Sequence, residues 1–233
     1  MAPRIVRLSN TFIAGVDGCK NGWVIASQDA DGRPAVNLVS HFGEILDYDH
    51  KLVVVDIPIG LLDRGTRLAD QAARRILKGR ACCVFTAPLR PMLACRDYSE
   101  AKGCRQKIDG KGLAKQAWAI TTKIVEVDRL IRSETQSRIR EGHPEVSFAQ
   151  MNRGQALARS KHTPEGQHER ISLLTTHFPG LPHLVQKYSR LAEDVIDAFA
   201  MLWTAHRICN KQALALPEKS ETDARGLLMQ IWA

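Results

Sequence analysis

Long apolar runs are missing from this 233-residue sequence. None approaches the roughly 18 residues that a membrane-spanning helix needs. Met1 to Thr11 lacks the apolar centre of a secretory leader, which leads to the expectation of a cytoplasmic protein. Paired metal-binding cysteines are missing too. The chain has six cysteines, at positions 19, 82, 83, 95, 104 and 209, and none forms Cys-x-x-Cys. That argues against a zinc ribbon, and the spacing fits reduced thiols better than a disulfide framework. There is no internal repeat, no low-complexity tract and no linker. Aromatics make up only 6% of residues.

What is present is an ordinary globular balance, with 44% hydrophobic and 25% charged residues. This is enough for a full core, and it excludes a disordered chain or a coiled coil. The formal charge of +8 comes from 33 Lys and Arg against 25 Asp and Glu. A basic surface fits an anionic partner, nucleic acid first. However, the cations are scattered, so a protein that is merely basic stays open.

Turn signals break the first forty residues into a meander. Thr11 to Asp17, Trp23 to Ser27 and Ala35 to Val39 read as strands, separated by Gly18–Gly22 and Asp31-Gly32. Lys51 to Asp56 is a continuous β-branched run, the mark of a strand buried on both faces. Helices are expected over Thr66–Leu77, Leu113–Arg132, Pro164–His177 and Ser189–Arg207, a short strand over His143–Phe148, and a poorly packed tail from Pro217. Residues 82–109 read as irregular. The expectation is one α/β domain over residues 11–208, with extensions at 1–10 and 209–233 and helices on both faces of a mixed sheet.

The chemistry lies in the carboxylates. Asp17 and Asp56 each end a strand, and ligands of open α/β sheets gather at carboxyl ends of strands. The alternative is that each caps a turn. Asp194 and Asp197 are three apart on the last helix, so they share a face beside an apolar stripe. Burying acids is costly unless they are paired or bind metal. Oxygen donors without cysteine favour Mg²⁺ or Mn²⁺, and four acids suit a pair of ions that activate water against a phosphodiester. Glu145, in His143-Pro-Glu145, is a further ligand or base candidate. Lys20, Arg90 and Lys161 are candidate anion contacts, with a solvated loop arginine as the alternative for Arg90.

Several motifs together resemble the DUF429 family, whose members are uncharacterised proteins expected to be nucleases with a ribonuclease H-like fold. They are Gly15-Val-Asp-Gly-Cys-Lys-Asn-Gly-Trp23, Asp56-Ile-Pro-Ile-Gly60, Glu141-Gly-His-Pro-Glu-Val-Ser-Phe148, Ser160-Lys-His-Thr163 and Glu193-Asp-Val-Ile-Asp-Ala198. The resemblance runs from about residue 11 to 208. A more distant likeness links the same acids to RuvC-type Holliday-junction resolvases. By that likeness Asp17, Asp56, Asp194 and Asp197 are metal ligands. Asp56 stands where the resolvases carry Glu, and Glu145 has no counterpart there. The implied function is metal-dependent cleavage of nucleic acid. Two alternatives remain: an ATP- or sugar-phosphate-binding enzyme of the actin-like and sugar-kinase superfamily, and a non-catalytic module that binds nucleic acid or nucleotides. A homodimer is also left open.

Overall fold

A computed structural model describes residues 13–233. The extension expected at residues 1–10, and the Thr11 start of the first strand, lie outside the described residues. Strands β1 (Ile13–Cys19), β2 (Gly22–Gln28) and β3 (Pro34–Val39) form the antiparallel meander expected from the turns. Helix α1 (Phe42–Leu46) leads to β4 (Leu52–Val55), which lies parallel beside β1. After α2 (Leu68–Ile76) come 3₁₀ turns at Ala81–Cys83 and Arg90–Ala94, then α3 (Tyr98–Asp109), α4 (Lys115–Ala119) and α5 (Thr121–Leu130). Strand β5 (Ile139–Gly142) pairs parallel with β4 and runs into α6 (Pro144–Met151). Helices α7 (Pro164–Thr175), α8 (Leu181–Lys187) and α9 (Ala192–Cys209) follow, and β6 (Ala215–Thr222) and β7 (Leu228–Trp232) end the chain. The strand order is β3-β2-β1-β4-β5-β7-β6 in one seven-stranded sheet. The result is a mixed α/β sheet, the ribonuclease H-like arrangement expected.

Strand alternation sorts the core into two layers. Val24, Ala26, Leu52 and Val54 pack on one face with α9, and with Phe148 and Phe178. Ala14, Val16, Trp23, Ile25, Val53 and Val55 pack on the other with Phe42, Ile45, Ile124 and Val127. Helices therefore cover both faces. The side chains of α9 from Val195 to Ala205 are all buried. Burying each large apolar group stabilises the fold by about 1.5–3 kcal/mol. This helix crosses β1 closely because Gly15 has no side chain. A Cβ there would overlap Leu202 N and Ala198 O.

Several expectations are corrected. The tail from Pro217 is instead two sheet strands, and the 209–233 extension belongs to the sheet through the β5–β7 and β6–β7 pairings. The strand expected over His143–Phe148 is the start of α6, because Pro144 takes a first-turn position where no N–H is needed; the strand lies just before it. The helix expected over Leu113–Arg132 is two helices. Its periodicity correctly marks the buried side, since Ala117, Ile124, Val127 and Ile131 are all buried. Continuity fails at Ile120, which caps both helices, and the Thr121 hydroxyl beside it donates to Ala117 O at 3.2 Å. Residues 82–109 are not wholly irregular. The side chain of Asp97 caps α3 by accepting from Glu100 N at 2.9 Å, and Gly110 closes it in the left-handed conformation. A further helix, α8, is unexpected; Pro182 lies in its first turn, where no N–H is needed. Helix α2 starts at Leu68, two residues later than expected. Among the described residues no helix is long and apolar enough to cross a membrane.

Candidate functional site

The alternation that sorts the core also aims the acids. In β1, Gly15 faces α9, so Asp17, two residues on, projects to that same face at the strand's carboxyl end. In β4, Leu52 and Val54 face α9, so Asp56 follows them. The first two turns of α9 lie over these strand ends and carry Asp194 and Asp197. All four acids line one cleft of about 500 Å³. Asp17 and Asp197 are buried, at 8% and 2% exposed; Asp56 and Asp194 are half-buried.

The groups repel one another. Burial first, and then the charges of Asp56 and Asp197, hold the Asp17 carboxyl well above the usual carboxylate range. Burial likewise pushes Asp56 up to about 6, with Asp197 adding to it and His143 and Lys161 opposing it. Asp194 also rises to about 6, through burial and then Asp197. The main compensating cation is Lys161, whose Nζ donates to Asp197 Oδ2 at 2.6 Å. Asp197 in turn holds the ammonium well above its usual value. The Asp17 Oδ1 also accepts from Gly18 N at 2.8 Å.

These shifts fix the sign of a pH effect. An Asp56 carboxyl with a pKa of about 6, against 3.8 when unfolded, gives the native state an extra proton between those values. Stability therefore falls as pH rises through that window, and the charged site is a net cost above it. Asp56→Asn removes the cost. Its melting temperature at pH 7.5 should exceed wild type by roughly 2–6 °C, the equivalent of about 1–2 kcal/mol, and the advantage should vanish below pH 4. A difference that does not change with pH would show that repulsion at Asp56 is not its origin.

Other candidates land differently. Glu145 lines the cleft but is locked in a buried bidentate pair with Arg170, at 2.7 Å to both oxygens. It is a structural ion pair joining α6 to α7. Arg90 does not line the cleft. It is tied to Asp128 and Asp223, which also hold Arg225 and the turn before β7. Lys20 is exposed in the β1–β2 turn and is not among the lining residues. Lys161 alone of the three proposed anion contacts reaches the acids.

Some site residues carried little sequence signal. Lys123 lines the cleft, lies 4.4 Å from the Trp23 ring and donates to Gly22 O at 2.6 Å. Phe85 comes from the segment read as irregular, and Arg80 lies just before it. In the cleft wall, Arg67 bridges Asp70 and Glu141, while Glu141 Oε2 accepts from Ile59 N at 2.7 Å. This buried network fixes the β4 exit loop against β5. Only the helix and strand positions of its members could have marked it, and their pairing needs the fold.

Carboxylate oxygens are the right donors for a hard divalent ion. As placed, however, no group of three or more His, Cys, Asp or Glu among the described residues is arranged to hold one. The Lys161–Asp197 pair occupies one of the four acids.

The fold and the cleft together define a class: an α/β protein with a carboxylate cluster at the carboxyl ends of adjacent parallel strands. The chain belongs to the DUF429 family, described as a protein of unknown function, whose model matches residues 15–222. No curated protein and no solved structure matches the chain.

Proposed function

We propose that this cleft hydrolyses phosphodiester bonds of nucleic acid, with Mg²⁺ or Mn²⁺ as the cofactor. The observation that carries the proposal is the convergence of Asp17, Asp56, Asp194 and Asp197, from two strands and a helix, on one cleft where burial and mutual repulsion raise three of their pKa values. Four acids facing a single close ammonium leave the site short of positive charge, which divalent cations would supply. Asp17, Asp56, Asp194 and Asp197 would hold the ions, which would acidify a water and neutralise phosphate oxygens. Lys161 would release Asp197 to them and be free to pair with a phosphate oxygen. Arg67, Arg80 and Lys123 add further cations to the lining, and the formal charge of +8 favours an anionic polymer.

The alternative of an actin-like or sugar-kinase ATP site needs two related domains closing on the nucleotide. The described residues build a single sheet, which favours the phosphodiesterase. A non-catalytic module is separated by turnover. In the test, the purified chain is incubated with millimolar Mn²⁺ and a mixture of DNA and RNA oligonucleotides, and melting is followed with and without metal. Metal-dependent cleavage together with a raised melting temperature is expected. A metal-dependent melting shift without cleavage would leave a binding module, and neither effect would remove the metal site altogether.

A further inference from the structure

The cleft has a second kind of surface that the carboxylates do not use. Phe85 is 41% exposed, one of few large apolar side chains so placed, and it lines the same cleft as the four acids. Ile57, Pro58 and Ile120 add apolar lining. Exposed phenylalanines are unremarkable on a mobile loop, but this one is pinned on both sides. Val84 is buried and its carbonyl accepts from Arg74 Nε at 2.9 Å. Ala87 N donates to Asp70 Oδ2 at 2.9 Å, which ties the loop to the buried Arg67 network. The ring thus stands at the cleft on backbone that is tied down on either side.

A rigid aromatic face beside a site for phosphate oxygens is the combination that binds unpaired bases: the ring stacks the base while cations track the backbone. Size points the same way. At about 500 Å³, the cleft lies in the range of pockets for small molecules, about 300–1,000 Å³. It has room for a nucleotide or so, not for a duplex. In a duplex, moreover, base faces are already stacked and would have to be prised out at a cost of a few kcal/mol per base.

We infer that the substrate is single-stranded nucleic acid, with one unpaired base stacked on Phe85 and the adjoining phosphodiester directed to Asp17, Asp56, Asp194 and Asp197. This rests on the phosphodiesterase reading above and narrows it. The step is hydrolysis: water adds to phosphorus, the bond from phosphorus to the leaving sugar oxygen breaks, and that oxygen takes up a proton.

The experiment uses the full chain with Mn²⁺ and four substrates: bis(p-nitrophenyl) phosphate, a labelled single-stranded decamer, the same decamer as a blunt duplex, and a decamer of abasic sites. Wild type should cleave the single strand at least tenfold faster than the duplex. Phe85→Ala should raise KM on the base-bearing strand about tenfold, the stacking contribution of a single base, and cost much less on the abasic strand. Phe85→Trp should restore the KM. A melting curve checks that Phe85→Ala is folded, as expected for an exposed side chain. Equal cleavage of duplex and single strand, or equal losses for Phe85→Ala on base-bearing and abasic strands, overturns the inference. Cleavage of the small diester but of no oligonucleotide also overturns it and leaves the metal-dependent hydrolase standing. No cleavage of any of the four overturns both.

Discussion

Asp17→Asn should leave the protein folded and abolish both its response to divalent metal and its phosphodiesterase activity. The substitution keeps the size of the side chain and keeps an oxygen that can accept from Gly18 N. It removes one of four mutually repelling charges, so the metal-free variant should melt at or above the wild-type temperature near neutral pH. The Asp17 carboxyl sits well above its usual value because burial and the neighbouring Asp56 and Asp197 disfavour its charge, and that cost disappears with the charge. Metal stabilises only what it binds. Wild type should gain about 4 kcal/mol at a thousandfold excess over Kd, and the variant little or none. An activity loss of at least about a thousandfold is expected, since a bound metal supplies several kcal/mol of transition-state stabilisation and each 1.36 kcal/mol is a factor of ten. The readouts are melting with and without Mn²⁺ and a cleavage assay. Asp63→Asn, outside the lining residues, serves as the control. A full metal shift in Asp17→Asn would return this residue to a turn-stabilising role.

The largest stability loss is expected at Arg67, in the wall of the same cleft. Its guanidinium is buried at 2% exposed and donates to Asp70, Glu141 and the carbonyls of Ile59 and Gly60. Burial works against its charge, but Asp70 and Glu141 more than offset this and hold it ionised. Burial raises the Glu141 pKa, and Arg67 is what restrains it. Arg67→Met leaves two buried carboxylates without a counter-charge. Breaking such a pair from one side costs about 3–5 kcal/mol, or roughly 6–20 °C of melting temperature for a chain of this size. Because Ala87 N hangs on Asp70 and Ile59 N on Glu141, the loops carrying Phe85 and following Asp56 should loosen together. Neutralising both partners in Arg67→Met/Asp70→Asn/Glu141→Gln should recover part of the loss. If Arg67→Met unfolds at the wild-type temperature, the network is not what fixes these loops.

Local pattern by itself determined the elements with strong signals. Alternating and β-branched residues bounded by Gly, Asn and Asp gave the β1–β3 meander and β4, because side-chain period and turn chemistry act within a few residues. The periodicity of α5 and α9 marked their buried sides for the same reason. The acids could be picked out as a set because strand ends and a three-residue helical spacing are local facts, and the family's motifs added the order in which they occur. Only the tertiary structure decided the rest. The C-terminal strand β6 looks polar and weak in sequence and β7 is a short run; β7 pairs along the edge of β5, and β6 pairs in turn along β7. Glu145 and Arg90 read as site residues until the fold supplied Arg170, Asp128 and Asp223 as partners, 25 to 133 positions away. Lys161 found Asp197 across 36 positions. Charges gain their roles from whatever cation or anion the folded chain brings within a few ångströms, and pairing over such distances is fixed by topology, not by any window of sequence.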